Sequence, residues 1–241
     1  MKVAEQIRQK IKSIPESEPF GYSDLGIAPA DLFTAAKALE RLQKKGEIKK
    51  VSKGVFYVPR QTIFGVVGPN NNSILERYMF ENGKRIAYET GFSLFNQLGL
   101  TTQMAFKLKI ATRSKRIKIN QGSLQVSSVK SYVDITEQNY KLLGYLDALK
   151  DIRKIPDSTT TNAIKRMNWL IKALTKKQQN ELVSLALFYP ARVRALLGAI
   201  LENLKFSFES NELKASINPL SKVTLYIKQT DLPTIKKWNI E

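Results

Sequence analysis

Apolar residues recur at helical spacing from the start of the chain. Val3, Ile7 and Ile11 stand at i, i+4 and i+8, which predicts an amphipathic helix that Pro15 and Pro19 end. Residues 22–26 suffice for one helical turn, with Ser23 as its N-cap. A third helix is predicted from Pro29, where the missing N–H costs little, to about Lys45, with Gly46 as the stop. Leu32, Ala35, Ala36, Leu39 and Leu42 form its inner face, and Thr34, Lys37, Ala38, Arg41 and Lys45 fall outside. Residues 48–52 and 55–58 are β-prone runs joined by Lys53-Gly54, a hairpin whose turn needs the positive φ that Gly54 supplies. Helix, helix, helix, hairpin is the order of a winged helix-turn-helix, placed over residues 1–68.

Residues 61–72 hold Gly65, Gly68, Pro69 and three successive Asn, which breaks every period and reads as a linker, with a domain boundary near residue 70. A capping box, Ser73 with Glu76, then opens a helix. Residues 69–130 read as α/β: a helix over 73–80, a turn at Asn82-Gly83, a run over 85–88, and a helix over 90–98 burying Phe92, Phe95 and Leu98. Strands follow over 106–112, 116–119 and 124–129. Residues 131–205 read as helices: Leu142, Leu143, Leu146, Leu149 and Ile152 mark one, Ile164, Met167, Trp169, Leu170, Ile171 and Leu174 the next. Thr175 and Gln178 cap a third, and Pro190 separates it from a last helix over 192–204. A short tail, 206–241, has a strand-like run at 223–227 and no legible fold. The predicted class is α+β: an N-terminal winged helix-turn-helix, a mixed α/β segment and a helical C-terminal part, the last two forming one domain over 69–241.

Charge changes the picture. The 241 residues carry 39 Lys+Arg against 21 Asp+Glu, a net +18, which favours polyanionic partners. Lys44, Lys45, Lys49, Lys50, Lys53 and Arg60 gather at the end of the third helix and on the wing, where backbone phosphates would lie. A second reading fits the same residues: a protein-binding winged helix with a solvated lysine face. Residues 107–118 hold Lys107, Lys109, Arg113, Lys115, Arg116 and Lys118. They read as the solvated side of an antiparallel sheet or, alternatively, as a second anion-binding ribbon.

The chemistry open to such a chain is narrow. There is no His and no Cys, so imidazole bases, thiol nucleophiles and their metal sites are excluded, and no metal or cofactor is expected. Gly65-x-x-Gly68 lacks the spacing and the Lys-Ser/Thr of a phosphate loop. Gly122-Ser123 resembles the opening of a nucleotidyltransferase motif, but no Asp-x-Asp follows. Asp and Glu read as caps and surface charges, so no enzymatic activity is expected. Residues 1–12 lack the apolar core of a signal peptide. The most apolar stretch, 182–201, is broken by Pro190 and carries Arg192 and Arg194, unlike a spanning helix. These features lead us to expect a cytoplasmic protein without membrane partners.

Several blocks resemble the AbiEi-like antitoxins of type IV toxin–antitoxin systems. The first is Ala38-Leu39-Glu40-Arg41-Leu42 with Lys45-Gly46-Glu47-Ile48, then Ser52-Lys53-Gly54-Val55-Phe56-Tyr57-Val58-Pro59. The second runs from Thr90-Gly91-Phe92-Ser93 to Leu98-Gly99-Leu100-Thr101-Thr102-Gln103. The third is Leu146-Asp147-Ala148-Leu149-Lys150-Asp151-Ile152, followed by Tyr189-Pro190-Ala191-Arg192-Val193-Arg194-Ala195-Leu196-Leu197-Gly198. The first block is common among winged-helix proteins; the second and third, in order, are more specific. The resemblance implies a winged helix that binds double-stranded promoter DNA and represses its own operon. It also implies a C-terminal part that counteracts a nucleotidyltransferase-like toxin. On this resemblance the DNA-contacting positions fall on Thr34, Lys37, Arg41, Lys49, Lys50 and Lys53, while residues 107–118 and Arg192/Arg194 are the basic positions considered for the toxin. The alternatives are a protein-interaction module and a stand-alone winged-helix regulator.

Overall fold

The computed structural model describes residues 3–113, 115–121 and 124–241, so Gly122-Ser123 lies outside the described residues. The first stripe folds as α1 (Val3–Lys12), which buries Ile7 and Ile11. β1 (Pro19–Gly21) follows and leads into a 3₁₀ turn, Tyr22–Leu25. Ser23 is not the cap of that turn; the Asp24 carboxylate accepts from the Gly21 N–H instead, at 2.6 Å. A second 3₁₀ turn, Pro29–Asp31, opens α2 (Leu32–Lys44). α2 buries Ala35, Ala38, Leu39 and Leu42, whereas Leu32 and Ala36 are exposed. The buried stripe is therefore centred between Ala38 and Leu39, and Ala38 exchanges faces with Ala36 relative to the sequence reading.

β2 (Lys49–Ser52) and β3 (Val55–Tyr57) form the hairpin, turned at Lys53-Gly54 with Gly54 at φ 77°. β3 is central in an antiparallel sheet ordered β1-β3-β2. Helix, strand, helical turn, helix and hairpin is the full winged-helix order. Phe20, Leu25, Leu39, Ile48 and Phe56 sit in one core with the buried faces of α1 and α2.

The segment read as a linker is a second hairpin, β4 (Arg60–Thr62) and β5 (Gly65–Val67), paired Arg60↔Val67 to Thr62↔Gly65. α3 (Asn71–Met79) is capped by Asn70, whose side chain accepts from the Ser73 N–H at 2.8 Å, in place of the predicted Ser73 box. Arg77 of α3 donates to the Pro19 carbonyl at 3.1 Å and pairs with Asp24, and Tyr78 shares a hydrogen bond with Ser52. These bonds tie α3 to the winged helix, and a boundary near residue 70 would sever them. The first compact unit comprises residues 1–82 with 118–125, and the second 83–117 with 126–241.

β6 (Phe80–Glu81) closes this stretch of the first unit, and β7 (Lys84–Arg85) opens the second after Asn82-Gly83. The second unit contains β8 (Ala87–Thr90), α4 (Phe92–Gln97) and β9 (Lys107–Thr112). β8 and β9 are antiparallel, from Ala87↔Thr112 to Thr90↔Lys109. In α4, Leu94 and Phe95 are buried while Phe92 is half exposed, contrary to the Phe92 expectation. β10 (Lys118–Gln121) falls in the first unit; β11 (Leu124–Lys130) lies beside β9. α5 (Tyr140–Lys150), α6 (Thr160–Lys172), α7 (Lys176–Ala186) and α8 (Ala191–Asn203) match the predicted helical part. The Thr175/Gln178 capping box of α7 is present. α8 is buried almost throughout from Val193 to Leu201 and is the axis of this core.

The tail is ordered rather than shapeless. α9 (Ser207–Ala215) precedes a parallel bridge between Val223 and Ile240, and a 3₁₀ turn places the Trp238 ring against Gly198 of α8. Among the described residues no helix is long and apolar enough to cross a membrane.

Candidate nucleic-acid interface

α2 presents to solvent the face opposite its buried stripe. Phe33, Thr34, Lys37, Glu40, Arg41 and Lys44 are all exposed, and Lys45 follows as the C-cap. Lys37 lies over the Phe33 ring at 4.5 Å. Lys44 pairs with Glu40 at 2.9 Å, one turn back, and holds that carboxyl below the ordinary carboxylate range. Phe33 is 72% exposed at the N-terminal end of α2, the end from which winged helices reach base edges. Sequence reasoning passed over Phe33; the signal was its position one residue off the apolar stripe.

The wing adds Lys49, Lys50 and Lys53, all exposed. β2 is the sheet edge, and its register slips between Lys50 and Ser52. A bulge of this kind breaks strict alternation. Arg60, at the start of β4, is exposed as well. The predicted contact set Thr34, Lys37, Arg41, Lys44, Lys45, Lys49, Lys50, Lys53 and Arg60 is thus exposed throughout and carried by α2, the wing and β4. A groove between α1 and α2 is lined by Arg8, Lys12, Arg41, Lys44 and Lys45 together with Glu5, and Arg8 pairs with Glu47 at 3.5 Å.

The second basic run divides between the units. Lys118 lies on β10, which packs beside β2 in the first unit and so joins the wing lysines. Lys107 and Lys109 are exposed on β9, and Lys115 and Arg116 are exposed beyond it. Arg113 donates to the Tyr132 carbonyl at 2.6 Å and pairs with Asp134 at 3.3 Å, so it ties down a loop. Of the two arginines considered for a toxin, Arg192 is exposed. Arg194 turns inward and donates to the Ser216 carbonyl at 2.7 Å.

One carboxylate departs from the reading of acids as caps and surface charges. Asp147 on α5 is buried and is the hub of a polar cluster. Its oxygens accept from Thr90 at 2.7 Å, Tyr88 at 3.0 Å and Tyr189 at 3.4 Å, and pair with Lys150 at 2.8 Å. Burial and the Asp147 carboxylate push both phenols far above their ordinary value. The cluster joins β8, α5 and the turn before α8, so its first role is to fix those elements. Among the described residues no three carboxylates gather as metal ligands would.

The fold is similar to that in the crystal structure of the RV2827C protein from Mycobacterium tuberculosis. The TM-score is 0.52 at 13% identity, over 92% of this chain and 84% of that one. That likeness concerns the fold alone. No curated protein matches the chain. A family model matches residues 6–183, and the chain belongs to that family, DUF6088, a family of unknown function.

Proposed function

We propose that the first unit binds double-stranded DNA through α2 and the wing, and that the chain is a regulator of its own promoter. The observation that carries this reading is the exposure of every predicted cation along α2, the wing and β4, on a winged-helix frame. In this reading α2 lies in the major groove. Thr34 and Lys37 reach base edges, Phe33 meets thymine methyl groups, and Lys44, Lys45, Lys49, Lys50, Lys53 and Arg60 take phosphates. The chain binds rather than catalyses and works in the cytoplasm.

The antitoxin role rests on the resemblance of the three sequence blocks. On that reading the second unit counteracts a nucleotidyltransferase-like toxin. The adjacent reading frame tests it: a Gly-Ser…Asp-x-Asp protein whose toxicity this chain relieves supports the role, and relief absent on co-expression removes it.

DNA binding is tested by gel-shift titration of the upstream duplex with the triple variant Lys49→Glu, Lys50→Glu, Lys53→Glu. Loss of binding is expected, and unchanged binding overturns the placement of the wing. A second reading, a protein-docking winged helix, is favoured by the exposed pair Leu32 (43%) and Phe33 (72%). Capture of a purified neighbouring gene product after nuclease treatment, with no affinity for upstream DNA, would establish it instead.

A further inference from the structure

Residues 1–60 carry 12 Lys+Arg and 7 Asp+Glu, a balance of +5, and the remaining 27 and 14 leave +13 in the rest of the chain. A winged helix alone does not account for that excess. Residues 158–180 concentrate it: Lys165, Arg166, Lys172, Lys176 and Lys177 stand there with no Asp or Glu. Most of the segment is α6, which buries Ala163, Ile164, Met167, Leu170 and Ile171. Its other face carries Asn162, Lys165, Arg166, Trp169 and Lys172, spaced at i, i+3, i+4, i+7 and i+10.

Trp169 is 60% exposed in the middle of that basic face. A surface indole forfeits much of the free energy its burial would bring, about 25 cal/mol per Å² of apolar area. Arg166 holds it in place. The Arg166 Nε donates to the Leu98 carbonyl at 2.7 Å, and its guanidinium lies over the Trp169 ring at 4.5 Å. The loop that supplies this carbonyl is itself pinned, because the Asn96 amide donates to the carbonyls of Thr101 at 3.3 Å and Gln103 at 3.2 Å. The Gln103 amide in turn engages Asp157, the acid just before the acid-free segment. The result is an ordered guanidinium–indole stack flanked by lysines.

We propose that this face of α6 is a binding site for single-stranded nucleic acid. The lysines attract the phosphodiester backbone, and an unpaired base stacks on the open face of Trp169. Charge alone would accept a duplex equally well. The indole selects an unpaired strand, because duplex bases have their faces already stacked. The site lies wholly in the second unit and stands whether or not the first unit binds duplex DNA.

Intrinsic fluorescence of the full chain tests it. The chain has two tryptophans, and Trp238 is buried, so quenching by an added strand reports on Trp169. The probes are oligouridylate and oligodeoxythymidylate of about a dozen nucleotides, with a mixed-sequence duplex as control. Anisotropy of the labelled strands gives affinities. Saturable quenching by at least one single strand, exceeding that by the duplex, is expected. Trp169→Ala should weaken binding about 5- to 150-fold, the range for losing one stacked base. Trp169→Phe should keep affinity within a few-fold while the quench disappears. The wing variant should retain single-strand binding, which separates this site from the first unit. Three results overturn the proposal: no quench by either strand, equal quench by duplex and single strand, or unchanged affinity in Trp169→Ala with Trp238 emission showing a native fold.

Discussion

Asp147 shows how a single residue can be illegible in sequence and central in structure. Its neighbours Leu146, Ala148 and Leu149 are apolar and buried, and nothing in that string says that the one charge among them is buried too. Its partners Tyr88, Thr90 and Tyr189 come from distant segments, so no local spacing reveals them. Removing one member of a buried ion pair leaves its partner's charge uncompensated, at about 3–5 kcal/mol. Asp147→Ala should therefore lower the unfolding free energy by roughly that amount in urea titrations. The same cluster sets an alkaline limit. Tyr88 and Tyr189 keep their protons in the folded state, with pKa values raised above that of an unfolded tyrosine. Their contribution is fully present below about pH 10, the ordinary phenol value. As pH rises beyond it the unfolded chain loses protons that the folded chain retains, so stability falls. The slope should approach about 1.4 kcal/mol per pH unit for each phenol. Urea midpoints measured between neutral and strongly alkaline pH check this, and Tyr88→Phe should remove one such increment, about 1.4 kcal/mol per pH unit, from the slope.

At the scale of elements, legibility followed burial contrast. α1, α6 and α7 each bury one stripe and expose the other, and their periods were readable. The hairpin β4–β5 was missed because most of its residues are exposed, with Ile63 and Phe64 at its tip each 94% exposed. With no inner face there is no alternation to read. β1 was missed for another reason: it is three residues long, begins with Pro19 and is buried on every position. A proline that ends a helix in sequence can equally start a strand. The tail needed tertiary context. Gly198 of α8 leaves the space that the Trp238 ring fills, and a Cβ there would fall 2.2 Å from the ring. The Trp238 indole N–H also donates to Glu202 at 2.9 Å, which anchors the ring to the same helix. Gly198→Ala should destabilise the protein by about 1–3 kcal/mol through overpacking. A thermal melt should show the midpoint lowered by about 2–4 °C per kcal/mol.

At the scale of the whole molecule, charge is distributed over two units. The first unit exposes cations on α2 and on the wing, with Lys118 of β10 beside them; in the second, Lys165, Arg166 and Lys172 share the α6 face that carries Trp169. The winged-helix assignment was legible because the helices and the Lys53-Gly54 turn follow in a recognisable order. The extent of the first unit was not, because Arg77 and Tyr78 bind back across residues that look like a linker. The central claim is that the first unit meets DNA through phosphates at Lys44, Lys45, Lys49, Lys50, Lys53 and Arg60. The most direct test is the salt dependence of binding to the upstream duplex. Six phosphate contacts predict that log K falls against log[salt] with a slope near −5, at about 0.9 per contact. Each single lysine-to-glutamine change among the six should make that slope shallower by about 1. A slope near zero, or one untouched by these substitutions, would contradict the account.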